Sequence, residues 1–200
     1  KSKNWWHYCT DREFKYIHAL VLKYFNNIPI YYNFIDLSVN DQIDNIINLI
    51  EFSQEKNWGG KNFFTSAFNY GDGINVLNVY NLTELKEQID IHFKKYIKKN
   101  VNYNIESWFT LIGKGYYSHV HDHMADYSGI YYYNTNGDDG DLFFTDEFSK
   151  LNVKPEKGKI LIFPSKLKHG VETNKTYHER ISLAFNIKLH KKGRLPSQVF

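Results

Sequence analysis

A single cysteine, Cys9, stands in 200 residues, so no disulfide can form within the chain. That excludes a disulfide-stapled secreted scaffold and makes a reducing compartment the expectation. No apolar run approaches the ~18 to 20 residues that a membrane-spanning helix requires. The opening stretch Lys1–Trp6 carries none of the apolar core of a secretory leader, and a cytoplasmic protein is expected. Charge of one sign is lacking too. Lys and Arg total 25 against 22 Asp and Glu, a formal net charge of +3. Such a balance gives little pull toward nucleic acid or an anionic membrane. Linkers, repeats and low-complexity blocks are also missing, so residues 1–200 are expected to form one domain.

What the chain does have is apolar and aromatic material, 42% and 18% of its residues, enough to bury a core unaided. The pattern changes midway. Thr10 and Glu13 have capping-box spacing, and Phe14, Ile17, Val21, Tyr24 and Phe25 follow at helical intervals, which predicts a first helix ended by Pro29. A strand is expected over 28–37. A second helix is expected over 40–52, with Ile43, Ile46, Ile47 and Ile50 on one face. The clearest helix is predicted over 82–98, with Leu85, Ile89, Phe93, Tyr96 and Ile97 inward and Lys94, Lys95, Lys98 and Lys99 near its negative end. From Asn104 onward the helical period is lost. Short β-rich runs at 108–112, 128–133, 142–145, 159–163 and 180–189 are separated by glycine- and asparagine-rich turns. The expected architecture is α+β: a layer of helices and strands from 1–103 against a sandwich, jelly-roll or barrel core over 104–190.

Three histidines alternate in Ser118-His119-Val120-His121-Asp122-His123. In an extended strand, residues two apart project to one face. His119, His121 and His123 would then point together, at a separation where two imidazoles can share a metal. A strand pair supplies only two facial ligands, so a third must come from elsewhere. His169 is the best candidate, because the apolar run 159–163 ends at Pro164 and a short turn leads into it. Eleven residues later come Arg180 and Ser182, also two apart, where a guanidinium fork and a hydroxyl can grip a carboxylate. Each part alone is weak. The ordered combination of His-x-His, a distal His and Arg-x-Ser, all in strand contexts, is specific.

That order resembles the 2-oxoglutarate/Fe(II)-dependent oxygenase superfamily, with its His-x-Asp/Glu, distal His and Arg-x-Ser. More closely, residues 114–123 followed by Ser128-Gly129-Ile130-Tyr131-Tyr132-Tyr133 resemble an oxygenase family of bacteria and marine phages. Phe163-Pro164-Ser165 and Glu179-Arg180-Ile181-Ser182-Leu183-Ala184-Phe185-Asn186 match the same family. The likeness spans residues 108–187, about 40% of the chain. It implies a double-stranded β-helix core, cupin-like in shape. It also implies Fe(II), 2-oxoglutarate and O2, with oxidative decarboxylation of 2-oxoglutarate coupled to hydroxylation of a substrate. Carried over, it assigns the metal to His121, His123 and His169, with His119 and His121 as the rival pair. Arg180 falls to the distal carboxylate of 2-oxoglutarate, with Ser182 assisting. The chain departs from the pattern in two places. The interval from His123 to Ser128 is one residue short, and a His replaces the carboxylate ligand unless Asp122 or Asp126 reaches the metal.

Tyr131, Tyr133, Trp108 and Asn186 are candidate contacts to co-substrate or substrate. Asp138, Asp139 and Asp141 sit in a glycine-rich turn without a calcium-loop pattern, and a solvated hairpin is expected there. The loops at 57–72 and 134–140 are candidate selectivity elements, and the basic end 188–194 reads as a solvated tail. The substrate itself, whether small molecule, peptide or protein, is not legible. Two other functions fit parts of the pattern: a cupin-type metalloenzyme without 2-oxoglutarate, and a non-catalytic metal-binding β-sandwich. Neither explains Arg180 and Ser182 after the distal His.

Overall fold

The computed structural model describes residues 21–54, 64–67 and 75–190. Two strands open it, β1 (Val21–Phe25) and β2 (Ile28–Phe34), joined through Asn26 and Asn27 at φ 49° and 64°. Two consecutive residues with positive φ form the tight turn whose twist matches paired strands, and asparagine tolerates that conformation. A 3-10 turn at Leu37–Val39 then leads into the short helix α1 (Asn40–Asp44). Two-residue strands β3 (Ser53–Gln54) and β4 (Phe64–Thr65), one helical turn α2 (Val76–Val79) and the full helix α3 (Thr83–Ile97) follow. Leu85, Ile89 and Phe93 of α3 are buried at helical spacing, and Lys98 ends it in the left-handed conformation.

The remaining strands are β5 (Tyr103–Ile112), β6 (Ser118–His121), β7 (Tyr127–Asn134), β8 (Leu142–Thr145), β9 (Lys150–Val153), β10 (Lys159–Pro164), β11 (His169–Val171) and β12 (Arg180–Leu189). β5 pairs with β12, β6 with β11, β7 with β10 and β8 with β9, all antiparallel. This is one two-ply ribbon, turned at the β8–β9 connection and coiled so that successive rungs fall in opposite sheets. The larger sheet runs β1-β2-β10-β7-β12-β5-β4-β3, and the smaller β6-β11-β8-β9. Predominantly antiparallel strands in this order make a jelly roll.

Strand alternation gives the large sheet two apolar faces. Tyr131 and Tyr133 of β7, Ile160 and Ile162 of β10, and Leu183, Phe185 and Ile187 of β12 pack outward against α3. Ile130 and Tyr132, with Leu161 and Phe163, turn inward to meet Leu142, Phe144 and Val171 of the small sheet. Fully burying one side chain such as Phe93 or Phe144 contributes about 1.5 to 3 kcal/mol. No helix among the described residues is long and apolar enough to cross a membrane.

Several expectations are corrected. Val21, Tyr24 and Phe25 were expected in the first helix but lie in β1, because pairing with β2 satisfies their backbone. Thr10, Glu13, Phe14 and Ile17 lie outside the described residues, as do Cys9, loop residues 57–63 and 68–72, and tail residues 191–194. The second helix stops at Asp44 and gives way to a 3-10 turn at Ile47–Leu49. Asparagines and four β-branched isoleucines make residues 40–50 poor helix formers. The third helix runs Thr83–Ile97, within one residue of its expected bounds at each end.

Candidate active site

His121 is the last residue of β6, and His169, the first of β11, lies directly opposite it. His123 follows two residues beyond the strand, held by donation from its backbone N–H to Ser165 O at 3.0 Å. One ring nitrogen from each of these histidines comes within 4.8 Å of the other two. Ring centroids stand 4.5 Å apart for His121 and His169, 4.9 Å for His121 and His123, and 5.1 Å for His123 and His169. Phe163 packs edge-on against the His169 ring at 4.9 Å and fixes its plane.

His119 does not join them. Opposite β11, the pairs His169–His121 and Val171–Ser118 bracket two steps on one strand and three on the other. This β-bulge reverses the alternation between His119 and His121. The His119 ring packs edge-on against Tyr117 instead, with centroids 5.0 Å apart. Neither nearby carboxylate enters the cluster. Asp126 Oδ2 accepts from the backbone N–H of Leu189 at 2.7 Å, and Asp122 Oδ1 lies 4.0 Å from Lys166 Nζ.

The tautomers follow from hydrogen bonds. His121 Nδ1 lies 2.7 Å from His119 O, and His169 Nδ1 lies 2.7 Å from Leu167 O. A carbonyl only accepts, so both Nδ1 atoms carry the proton and both Nε2 lone pairs face the cluster. Backbone carbonyls that orient ligating histidines in this way are usual at metal sites. Burial holds His169 well below the ordinary imidazole pKa, and the neighbouring His121 and His123 add to the shift. Burial and His121 push His123 down to about 4, and burial lowers His121. At neutral pH all three are uncharged, the form in which imidazole binds metal.

One cavity of about 80 Å³ touches all three histidines and also Arg180. At roughly 10 to 15 Å³ per water, it has room for several waters or one small group. Arg180 opens β12 and is 1% exposed. Its Nη1 donates to Gly140 O at 2.6 Å, while Nε has no partner. Among the described residues no carboxylate pairs with it, and burial lowers its pKa. Asp139 and Asp141 act on it only through space. A buried cation left incompletely bonded is costly, and an arriving anion would complete it.

Ser182, two residues along β12, is fully buried but does not line the cavity. Tyr132 is also fully buried, with its ring 5.6 Å from the guanidinium and a hydroxyl that finds no partner among the described residues. Burial pushes that phenol up to about 12, so it keeps its proton and can donate.

The aromatic contacts expected of β7 are therefore corrected. Tyr131 and Tyr133 lie on the outer face, donating to Asn40 Oδ1 at 2.7 Å and to Asp44. Tyr132, one step away, faces inward. Trp108 and Asn186 do line the cavity, Trp108 with its ring 6.1 Å from that of His123. The hairpin at 134–140 is also not solvated throughout. Asp139 is fully buried and accepts from Thr135 Oγ1 at 2.6 Å and from the Asn136 backbone at 2.9 Å, beside His178 Nδ1. That bonding shapes the turn whose Gly140 carbonyl holds Arg180. The aspartate's position in a turn beside the Arg180 strand was the one available signal.

A family model described as "Putative 2OG-Fe(II) oxygenase" matches residues 145–186, a segment that holds His169, Arg180 and Ser182. No curated protein matches the chain. Solved structures match over most of its length. A Pseudomonas putida prolyl-4-hydroxylase is 17% identical, covers 82% of this chain and 94% of its own, and superposes with a TM-score of 0.59. The fold is that of the 2-oxoglutarate oxygenases. HygX from Streptomyces hygroscopicus, solved with nickel, 2-oxoglutarate and hygromycin B, is 9% identical and covers 80% of this chain and 82% of its own at TM-score 0.59. A Trichoplax adhaerens prolyl hydroxylase, solved with a hypoxia inducible factor peptide fragment, is 16% identical and covers 78% and 83% at TM-score 0.55.

Proposed function

We propose that this protein is a non-haem Fe(II) dioxygenase that couples oxidative decarboxylation of 2-oxoglutarate to succinate and carbon dioxide with hydroxylation of a second substrate. The observation that carries this reading is one small cavity with three neutral imidazole nitrogens and an under-bonded buried arginine. His121, His123 and His169 would hold the iron, whose redox chemistry activates dioxygen. Arg180 is the natural partner of the far carboxylate of 2-oxoglutarate, with Ser182 and the Tyr132 hydroxyl as further donors. A guanidinium only 1% exposed interacts more strongly than one in water. The apolar walls from Ile112, Leu142, Phe163 and Val171 keep water from the bound co-substrate. Trp108, half-buried beside His123, would border the second substrate.

A cupin-type enzyme without 2-oxoglutarate would use the histidines equally well but would leave Arg180 uncompensated. Zinc or nickel also accepts three histidines, so the donor set alone does not select iron. The visible spectrum decides. Fe(II) followed by 2-oxoglutarate, added anaerobically to metal-free protein, should produce a metal-to-ligand charge-transfer band that Arg180→Ala loses. His119→Ala should retain the band and His169→Ala should abolish it. Tight metal binding with no band on adding 2-oxoglutarate would overturn the assignment.

A further inference from the structure

Among the described residues no carboxylate lines the cavity or joins the three histidines. His121 and His169 turn Nε2 to the cluster through their Nδ1 bonds to carbonyls. Asp122 faces Lys166, and Asp126 is bonded to the backbone of β12. Every residue lining the cavity is neutral except Arg180, which is cationic. A divalent cation bound by the three histidines would therefore share a buried cavity with a second positive group and no carboxylate in its lining. Asp122 acts on His121 and His123, and Asp139 and Asp141 on Arg180, only from outside it. Like charges that only distant carboxylates offset repel in such a setting.

From this we infer that the protein binds its metal cooperatively with 2-oxoglutarate, the dianion supplying the charge that a carboxylate ligand would otherwise bring. The inference rests on the function proposed above and extends it. His123 is the residue that sets the coupling, since it stands where an acidic ligand would neutralise half the metal charge. The metal alone is held weakly. With the co-substrate present, one carboxylate lies at Arg180 and the dianion offsets most of the cavity's positive charge. Linkage makes the effect reciprocal: the metal tightens 2-oxoglutarate by the same factor.

The coupling is measurable without turnover. Co(II) is titrated anaerobically into the metal-free protein by calorimetry, with and without saturating 2-oxoglutarate, for the parent chain and for His123→Asp. In the parent, 2-oxoglutarate should tighten Co(II) about 100-fold, near the upper end of usual coupling. In His123→Asp, Co(II) alone should bind more tightly, and the tightening by 2-oxoglutarate should shrink at least about 10-fold, the factor we set as decisive. His123→Glu serves as the second variant, with thermal melts of both confirming folded protein. Equal coupling in parent and variants, with 2-oxoglutarate binding to all, overturns the inference and leaves the proposed function intact. If 2-oxoglutarate produces no heat with the Co(II)-loaded parent, the function reading itself fails and the inference falls with it.

Discussion

Arg180 sets stability against function, and Arg180→Met separates the two. The substitution keeps much of the side-chain volume and removes a charge that is 1% exposed. Lost with it is one charge-assisted bond to Gly140 O, and such bonds contribute about 1.5 to 3 kcal/mol. Relieved with it is the desolvation of a guanidinium whose Nε has no partner, a penalty of several kcal/mol. Asp139 keeps its own bonds to Thr135 and Asn136, so no new orphan is created on the acidic side. The net change in the metal-free protein should lie between zero and about 2 kcal/mol of stabilisation. At roughly 2 to 4 °C per kcal/mol for a chain of this size, Tm should stay the same or rise by up to about 8 °C. 2-Oxoglutarate binding should move the opposite way. Removing one partner of a buried charge pair costs about 2 to 5 kcal/mol, a loss of roughly 30- to 5,000-fold in affinity. Differential scanning fluorimetry of the metal-free protein and calorimetric titration of the Co(II)-loaded one read the two effects separately. A fall in Tm of more than about 6 °C, or unchanged 2-oxoglutarate affinity, would refute the reasoning.

Tyr132→Phe removes a buried hydroxyl that has no partner, so Tm should hold while 2-oxoglutarate binding weakens about 2- to 10-fold; equal affinity would remove Tyr132 from the site. Gly129→Ala would place a Cβ 2.2 Å from Phe185 Cζ and 2.6 Å from the Leu161 carbonyl, in the middle of the large sheet. Overpacking of this kind costs about 1 to 3 kcal/mol, and Tm should drop by roughly 3 to 10 °C, a loss that thermal melts would register. His123 is depressed to about 4 from 6.5 in the fold, so the unfolded chain takes up its proton first as pH falls. Metal-free stability should therefore be insensitive to this group above pH 6.5, decline between 6.5 and 4, and level off below. Urea midpoints across that range should fall less steeply for His123→Gln; identical slopes would contradict the shift.

The strands were legible where apolar residues crowd a short run between turns. Runs 142–145 and 180–189 read from their β-branched and aromatic content match β8 and β12. Of the residues that the His-x-His, distal His and Arg-x-Ser spacing singled out, His121, His123, His169 and Arg180 line one cavity, while Ser182 does not. What stayed hidden was parity. Nothing in the residues around Val120 marks the bulge that turns His119 away. Nor do three consecutive tyrosines reveal which of them faces in, because a one-residue shift exchanges the faces. The misjudged strand β1 carried a signal that outranks helical spacing: Asn26-Asn27 between two apolar runs is hairpin chemistry. Asp139 was misjudged because a turn aspartate is usually solvated, whereas here the adjoining loops close over it.

The folded-ribbon topology has a kinetic consequence. Each rung beyond the β8–β9 turn joins residues progressively farther apart in the chain, until β12 returns to pair with both β5 and β7. Such long-range closure is slow, because chain entropy is lost before the contacts that repay it can form. β12 also delivers Arg180, so the arginine end of the cavity is assembled only when the last rung closes. During synthesis on the ribosome, the histidine strands emerge before the strand that completes their pocket. A chain stalled short of residue 180 would expose two unpaired strand edges, one on β5 and one on β7, at the stage when it is most prone to associate with its neighbours.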